Sequence, residues 1–135
     1  MLGGAGNVAR NLTALGAGTE FITVIGDDIA GAEISDLIAE LDSTDATVLT
    51  APGRRTTVKS RYIADGQQLL RADHETEAAI PADIENSIVA RLDLAMANVG
   101  AVVLSDYGKG VVTPAVIAAC EAAIAPRTAS ATAAS

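Results

Sequence analysis

The 135 residues make one domain's worth of chain, half of it hydrophobic but only 2% aromatic, so the core must come from Ala, Val, Ile and Leu, a set that suits α/β layers better than an antiparallel sandwich. A net charge of −8 argues against nucleic acid and anionic membrane as partners, both being polyanions. The single cysteine, Cys120, excludes an internal disulfide. No apolar run approaches the roughly 20 residues of a membrane span. No basic start followed by an apolar stretch marks a secretory signal, and the expectation is a soluble, cytoplasmic protein.

In chain order, Gly3-Gly4-Ala5-Gly6-Asn7 opens a helix in which Val8, Leu12 and Leu15 share a face and Gly16 is the stop. Phe21 to Ile25 reads as a short buried strand, followed by Gly26-Asp27-Asp28 as turn and N-cap. Ile34, Leu37, Ile38 and Leu41 mark a second helix, and Ala46 to Leu49 a second strand. After the break at Ala51-Pro52-Gly53, Thr56 to Ile63, Asp65-Gly66 and Gln68 to Ala72 spell a polar β-hairpin. Pro81 opens a third helix with Ile84, Ile88 and Leu92 on one face. Ala101 to Leu104 reads as a third buried strand, and Thr113-Pro114 as cap and first turn of a last helix. Residues 126–135, almost all Ala, Ser and Thr, read as a disordered tail without periodicity.

Gly4-x-Gly6-x-x-Ala9, with Asp27 about 20 residues on, formally fits a dinucleotide-binding fingerprint. That fingerprint needs a strand before it, which Met1-Leu2 cannot supply. A glycine-rich helix entry with no ligand, or with another small ligand, fits the spacing as well. In the hairpin, Lys59 and Arg61 alternate onto one face and Arg71 is within reach across the turn. Three clustered cations suit a phosphate, which a guanidinium grips through two oxygens. The same charges also protect a solvated sheet edge. Asp106 is a candidate acceptor for a sugar hydroxyl and Lys109 for meeting a phosphate, at the carboxyl end of the third strand. Local capping by Asp106 is the alternative. The loop is not a Walker loop, because Gly110 stands where Ser or Thr is required. His74 and Cys120 read as a surface histidine and a helix-core cysteine, since neither has partners at metal-ligand spacing.

Three segments carry a resemblance. The first is Gly3-Gly4-Ala5-Gly6-Asn7-Val8-Ala9 with Gly16 and Gly26 at fixed intervals. The second is Thr57-Val58-Lys59-Ser60-Arg61 with Gln67-Gln68-Leu69-Leu70-Arg71-Ala72-Asp73. The third is Leu104-Ser105-Asp106-Tyr107-Gly108-Lys109-Gly110. The first resembles the leading signature of PfkB/ribokinase-like carbohydrate kinases. All three together resemble the heptose 7-phosphate kinase branch, over about residues 3–125.

The resemblance implies an α/β fold, a partial ribokinase-like three-layer sandwich over residues 1–125 with a small hairpin lid at about 54–73. It implies Gly3, Gly4 and Asn7 at the sugar, an amide offering both donors and an acceptor to a polyol. It implies Lys59, Arg61, Gln68 and Arg71 at the sugar phosphate, with Asp106 and Lys109 lining the pocket floor. ATP and Mg²⁺ are the implied cofactors of the full enzyme, with poor binding expected here. A sugar phosphate is the implied partner, and a second copy through the lid a further candidate. Such kinases also carry an early aspartate that grips the sugar and a Gly-Ala-Gly-Asp segment that supplies the base. Here the Gly-Ala-Gly runs at 4–6 and 16–18 are followed by Asn7 and Thr19. The expectation is therefore a truncated kinase with no catalytic residue, retaining recognition of the acceptor. A non-catalytic sugar-phosphate-binding module and a Rossmann-type dinucleotide-binding fragment are the alternatives.

Overall fold

A computed structural model describes residues 1–132, with side chains described to residue 124. Helix α1 (Gly4–Ala14) ends at Leu15, and Gly16 follows at φ +83°. The Gly16 amide donates to the Thr13 carbonyl and the Ala17 amide to the Leu12 carbonyl. That pair of bonds is a Schellman stop, which needs the left-handed backbone glycine adopts freely. Strand β1 (Thr19–Gly26) leads through Asp28 into helix α2 (Ile29–Ala39) and then strand β2 (Thr44–Ala51). The Asp28 carboxylate accepts the Gly31 amide at 2.8 Å, so it is the N-cap of α2. β1 and β2 pair in parallel from Thr19↔Thr44 to Gly26↔Ala51, as a strand–helix–strand crossover requires.

Strands β3 (Val58–Ala64) and β4 (Gln67–His74) form a separate antiparallel hairpin. Asp65 and Gly66 both have positive φ, the I′ geometry that matches strand twist. Helix α3 (Ala82–Ala95) lies against β1 and β2, and α4 (Pro114–Thr132) against α3. The core joins Ala51, Ile80, Ile84, Ile88 and Val116, with Ile22, Val24 and Leu49 packed on it. Strand alternation turns Phe21, Thr23 and Ile25 to the other face, where Ile25 is buried. The fold class is α/β, as the sequence pattern requires, with the hairpin standing off the sheet.

One expectation needs correction. Residues 101–104 form no strand; they run as irregular backbone, with Val103 63% and Leu104 43% exposed. An apolar run becomes a strand only when a neighbour completes its ladder, and among the described residues the sheet has two strands, β1 and β2. The backbone of residues 126–132 continues α4. Alanine is the strongest helix former, so an Ala-rich segment extends a helix already nucleated and docked. Residues 133–135 lie outside the described residues. No helix among the described residues is long and apolar enough to cross a membrane.

Candidate functional site

The site gathers at the carboxyl ends of β1 and β2. There the chain must turn closely past itself, and glycines make room. A Cβ at Gly26 would overlap the Arg54 carbonyl, and one at Gly31 the Gly26 carbonyl. The Thr56 hydroxyl, buried, accepts the Gly26 amide at 2.8 Å, while its own amide donates to Asp28 at 2.9 Å. Hydrogen bonds from the Thr56 side chain and amide hold the Asp28 carboxyl below its ordinary pKa. Asp27 accepts the Gly53 amide at 2.9 Å. The segment leading into the hairpin is thus tied to the end of β1.

The first signature meets the third directly. Gly4 begins α1, and a Cβ there would run into the Tyr107 ring. Gly6 is buried against Leu2. These glycines therefore accommodate protein groups. With Asp27 accepting the Gly53 amide, the dinucleotide alternative loses both its phosphate loop and its acidic residue. One helical turn from Gly4, the Asn7 Oδ1 atom is buried and has no hydrogen-bond partner among the described residues. A buried acceptor left empty costs about 1–3 kcal/mol, and such an atom calls for a donor from a ligand.

In the 105–110 loop, Asp106 Oδ1 accepts the Gly108 amide at 2.8 Å, the local capping role. Lys109 Nζ reaches Glu75 at 2.7 Å and Glu77 at 3.0 Å. Glu75 also meets Lys59 at 3.4 Å; Lys59 pairs with Asp73 at 2.7 Å, and Asp73 with Arg71 at 3.0 Å. Lys109 lowers the Glu75 pKa and Lys59 that of Asp73, while Glu75 and Glu77 raise that of Lys109. Arg61 and Arg71 stand directly opposite one another on the hairpin, and no ion pair holds Arg61 among the described residues. The register shift at Tyr62/Ile63 sets Gln68 opposite Ile63, on the face of Lys59 and Arg61.

The structure thus links eight of the nine expected residues by a continuous run of contacts and neighbours from Gly3 to Arg61, with Gln68 further out on the same hairpin face. It changes the electrostatics of the cationic patch. Lys59, Arg71 and Lys109 are interleaved with Asp73, Glu75 and Glu77, which the sequence reading did not count. Their i, i+2, i+4 spacing, continuing β4 beyond its end, was the available signal. The contacts of Arg54, Thr56 and Tyr107 have no signal in the sequence, whereas Asp28 is legible there only as a cap.

His74 is exposed and Cys120 buried, burial pushing the Cys120 thiol up. Among the described residues no group of three His, Cys, Asp or Glu side chains is placed to hold a metal ion, so no step through Mg²⁺ or ATP is built on them. One surface depression, lined by Gly18, Glu20, Ser43 and Asp45, lies at the amino ends of the strands. It is open, and its two carboxylates are already paired with Arg91. Side-chain chemistry rather than depth therefore locates the site.

Comparison with known proteins adds three findings. The family profile described as "pfkB family carbohydrate kinase" matches residues 1–129. A bifunctional protein HldE of Paramagnetospirillum magneticum is 48% identical over 82% of this chain, which covers 23% of that protein. The bifunctional protein HldE of Rhodospirillum rubrum is 50% identical over 82% of the chain and 22% of its own length. The chain spans about a quarter of the length of the curated relatives it matches.

Proposed function

The chain belongs to the pfkB family of carbohydrate kinases, and on that premise we propose that it carries the acceptor-recognition half of a sugar-phosphate kinase site. The proposed acceptor is D-glycero-β-D-manno-heptose 7-phosphate. The whole protein would transfer the γ-phosphate of ATP to its anomeric hydroxyl. The observation that carries this reading is the orphaned, buried Asn7 Oδ1, one helical turn from the contact between Gly4 and Tyr107.

Gly3 leaves the backbone open to a sugar ring, Gly4 seats the Tyr107 ring beside it, and Asn7 accepts from a hydroxyl. Arg61, which no ion pair holds among the described residues, is the primary phosphate ligand. Lys59, Arg71 and Lys109 join it by exchanging their carboxylate partners for the phosphate. Gln68 and Asp106 complete the hydrogen bonding. All these are binding roles, and no residue here is assigned as a base.

The experiment is a ligand-induced thermal shift. Heptose 7-phosphate is expected to raise the melting temperature, the unphosphorylated heptose to raise it less, and NAD not at all. Arg61→Ala should erase the difference between the two sugars. Stabilisation by NAD alone would reject the proposal in favour of a dinucleotide site.

The hairpin is proposed to pair with a second copy of the chain. Tyr62, Leu70, Ile63 and Leu69 are 55–69% exposed on it, a density of bare apolar side chains that favours association. Sedimentation should show a concentration-dependent dimer that Tyr62→Lys disperses; a monomer at every concentration contradicts the pairing.

A further inference from the structure

Arg54 sits at the start of the lid's outgoing hinge, yet among the described residues it has no carboxylate partner. Its guanidinium donates instead to three carbonyls: Ala78 at 3.1 Å, Thr76 at 3.2 Å, and Lys109. The first two belong to the returning hinge between β4 and α3, and the third to the pocket-floor loop. Neighbouring bonds follow the same path. The Arg55 amide donates to the Thr76 hydroxyl at 3.0 Å, and the Ile80 amide to the Gly110 carbonyl at 3.0 Å. Gly110 lies so close to residues 78 and 79 that a Cβ would overlap the backbone there. Lys109, whose carbonyl Arg54 holds, sends its own side chain back to Glu75 and Glu77 in that same returning hinge.

We infer that Arg54 is a positioning residue that clamps both hinges of the lid to the loop bearing Lys109, so that lid and pocket floor move as one body and the Lys109 ammonium is held at a fixed place. A planar fork with several donors is the side chain suited to this task, because it can serve carbonyls from separate segments at once. No ligand phosphate is needed at Arg54 itself. The clamp stands on the geometry alone; its consequence for ligand binding rests on the sugar-phosphate reading above.

The test has two arms. In hydrogen exchange of the full chain, Arg54→Ala should speed exchange of the Arg55, Ile80 and Gly108 amides by about tenfold or more, leaving the β1 and β2 amides at their wild-type rates. If Arg54→Ala does not fold, Arg54→Lys is read instead, with a smaller rise at the same amides. A rise spread equally over β1 and β2, or none at Ile80 and Gly108, overturns the clamp. The second arm is a double-mutant cycle on heptose 7-phosphate affinity. Lys109→Met and Arg54→Ala should weaken binding to a similar degree, and the double variant no further, because one acts through the other. Additive losses overturn the coupling. If Lys109→Met leaves affinity unchanged while the local exchange result holds, the assignment of Lys109 to the phosphate fails and the clamp survives.

Discussion

Alanine in place of Gly110 is expected to destabilise the protein by roughly 3 kcal/mol, lowering its melting temperature by about 10 °C. Two costs add. The backbone at Gly110 has φ +66°, a left-handed conformation that L side chains enter with strain. A Cβ would also overlap the Ala78 carbonyl and the Ala79 Cα, both backbone atoms that cannot rotate away. The bond from the Ile80 amide to the Gly110 carbonyl would then be pushed apart, detaching the loop from the segment between β4 and α3.

Gly108 supplies the internal control. Its φ is +65°, but a Cβ there meets nothing within 4 Å. Gly108→Ala should therefore cost only about 1 kcal/mol. Thermal melts of the two variants side by side isolate the packing contribution. Equal losses would show that the loop is not seated against residues 78 and 79.

Asn7→Ala is expected to act in opposite directions on stability and on binding. The wild-type chain keeps a buried amide oxygen without a partner inside a helix. Removing it relieves an unpaid desolvation cost and replaces Asn with a better helix former, so stability should rise by about 1–2 kcal/mol. Affinity for the sugar phosphate should fall about tenfold to a hundredfold, the amide's bonds to the ligand being lost. A residue that serves only the fold does not show this divergence. Denaturant titration and calorimetry on the same preparation read both quantities, and a variant less stable than wild type would assign Asn7 to structure.

The parts of the fold that were legible in the sequence are those set by neighbouring residues. Gly16 stops α1 because its own backbone adopts positive φ. Asp28 caps α2 because Gly31 is three residues on, and Asp65-Gly66 turns the hairpin because two positive-φ residues suffice. The segment 101–104 shows the limit. Its Val and Leu content suits a strand, but pairing is a property of distant chain, and none pairs with it here.

The site divides in the same way. Asn7, Lys59, Arg61 and Arg71 became candidates because an amide suits a polyol and strand alternation gathers cations, and the family resemblance favoured binding over a solvated edge. Arg54 escaped notice because carbonyls, which every residue carries, are its partners. Tyr107 escaped because its contact with Gly4 joins segments about a hundred positions apart, a pairing that only folding creates. The acidic set Asp73, Glu75 and Glu77 alternates visibly, yet its meaning depends on Lys109 arriving from another loop.

The central claim is that Asn7 and the 105–110 loop form one pocket for a phosphorylated sugar. Nitrogen-15 NMR of the Asn7 side-chain amide, followed while heptose 7-phosphate is added, tests it most directly. The account predicts a saturable shift of that amide together with the backbone amides of Gly4, Tyr107 and Lys109, and a weaker response to the unphosphorylated sugar. An Asn7 amide unmoved while other residues saturate would place the ligand elsewhere and contradict the account.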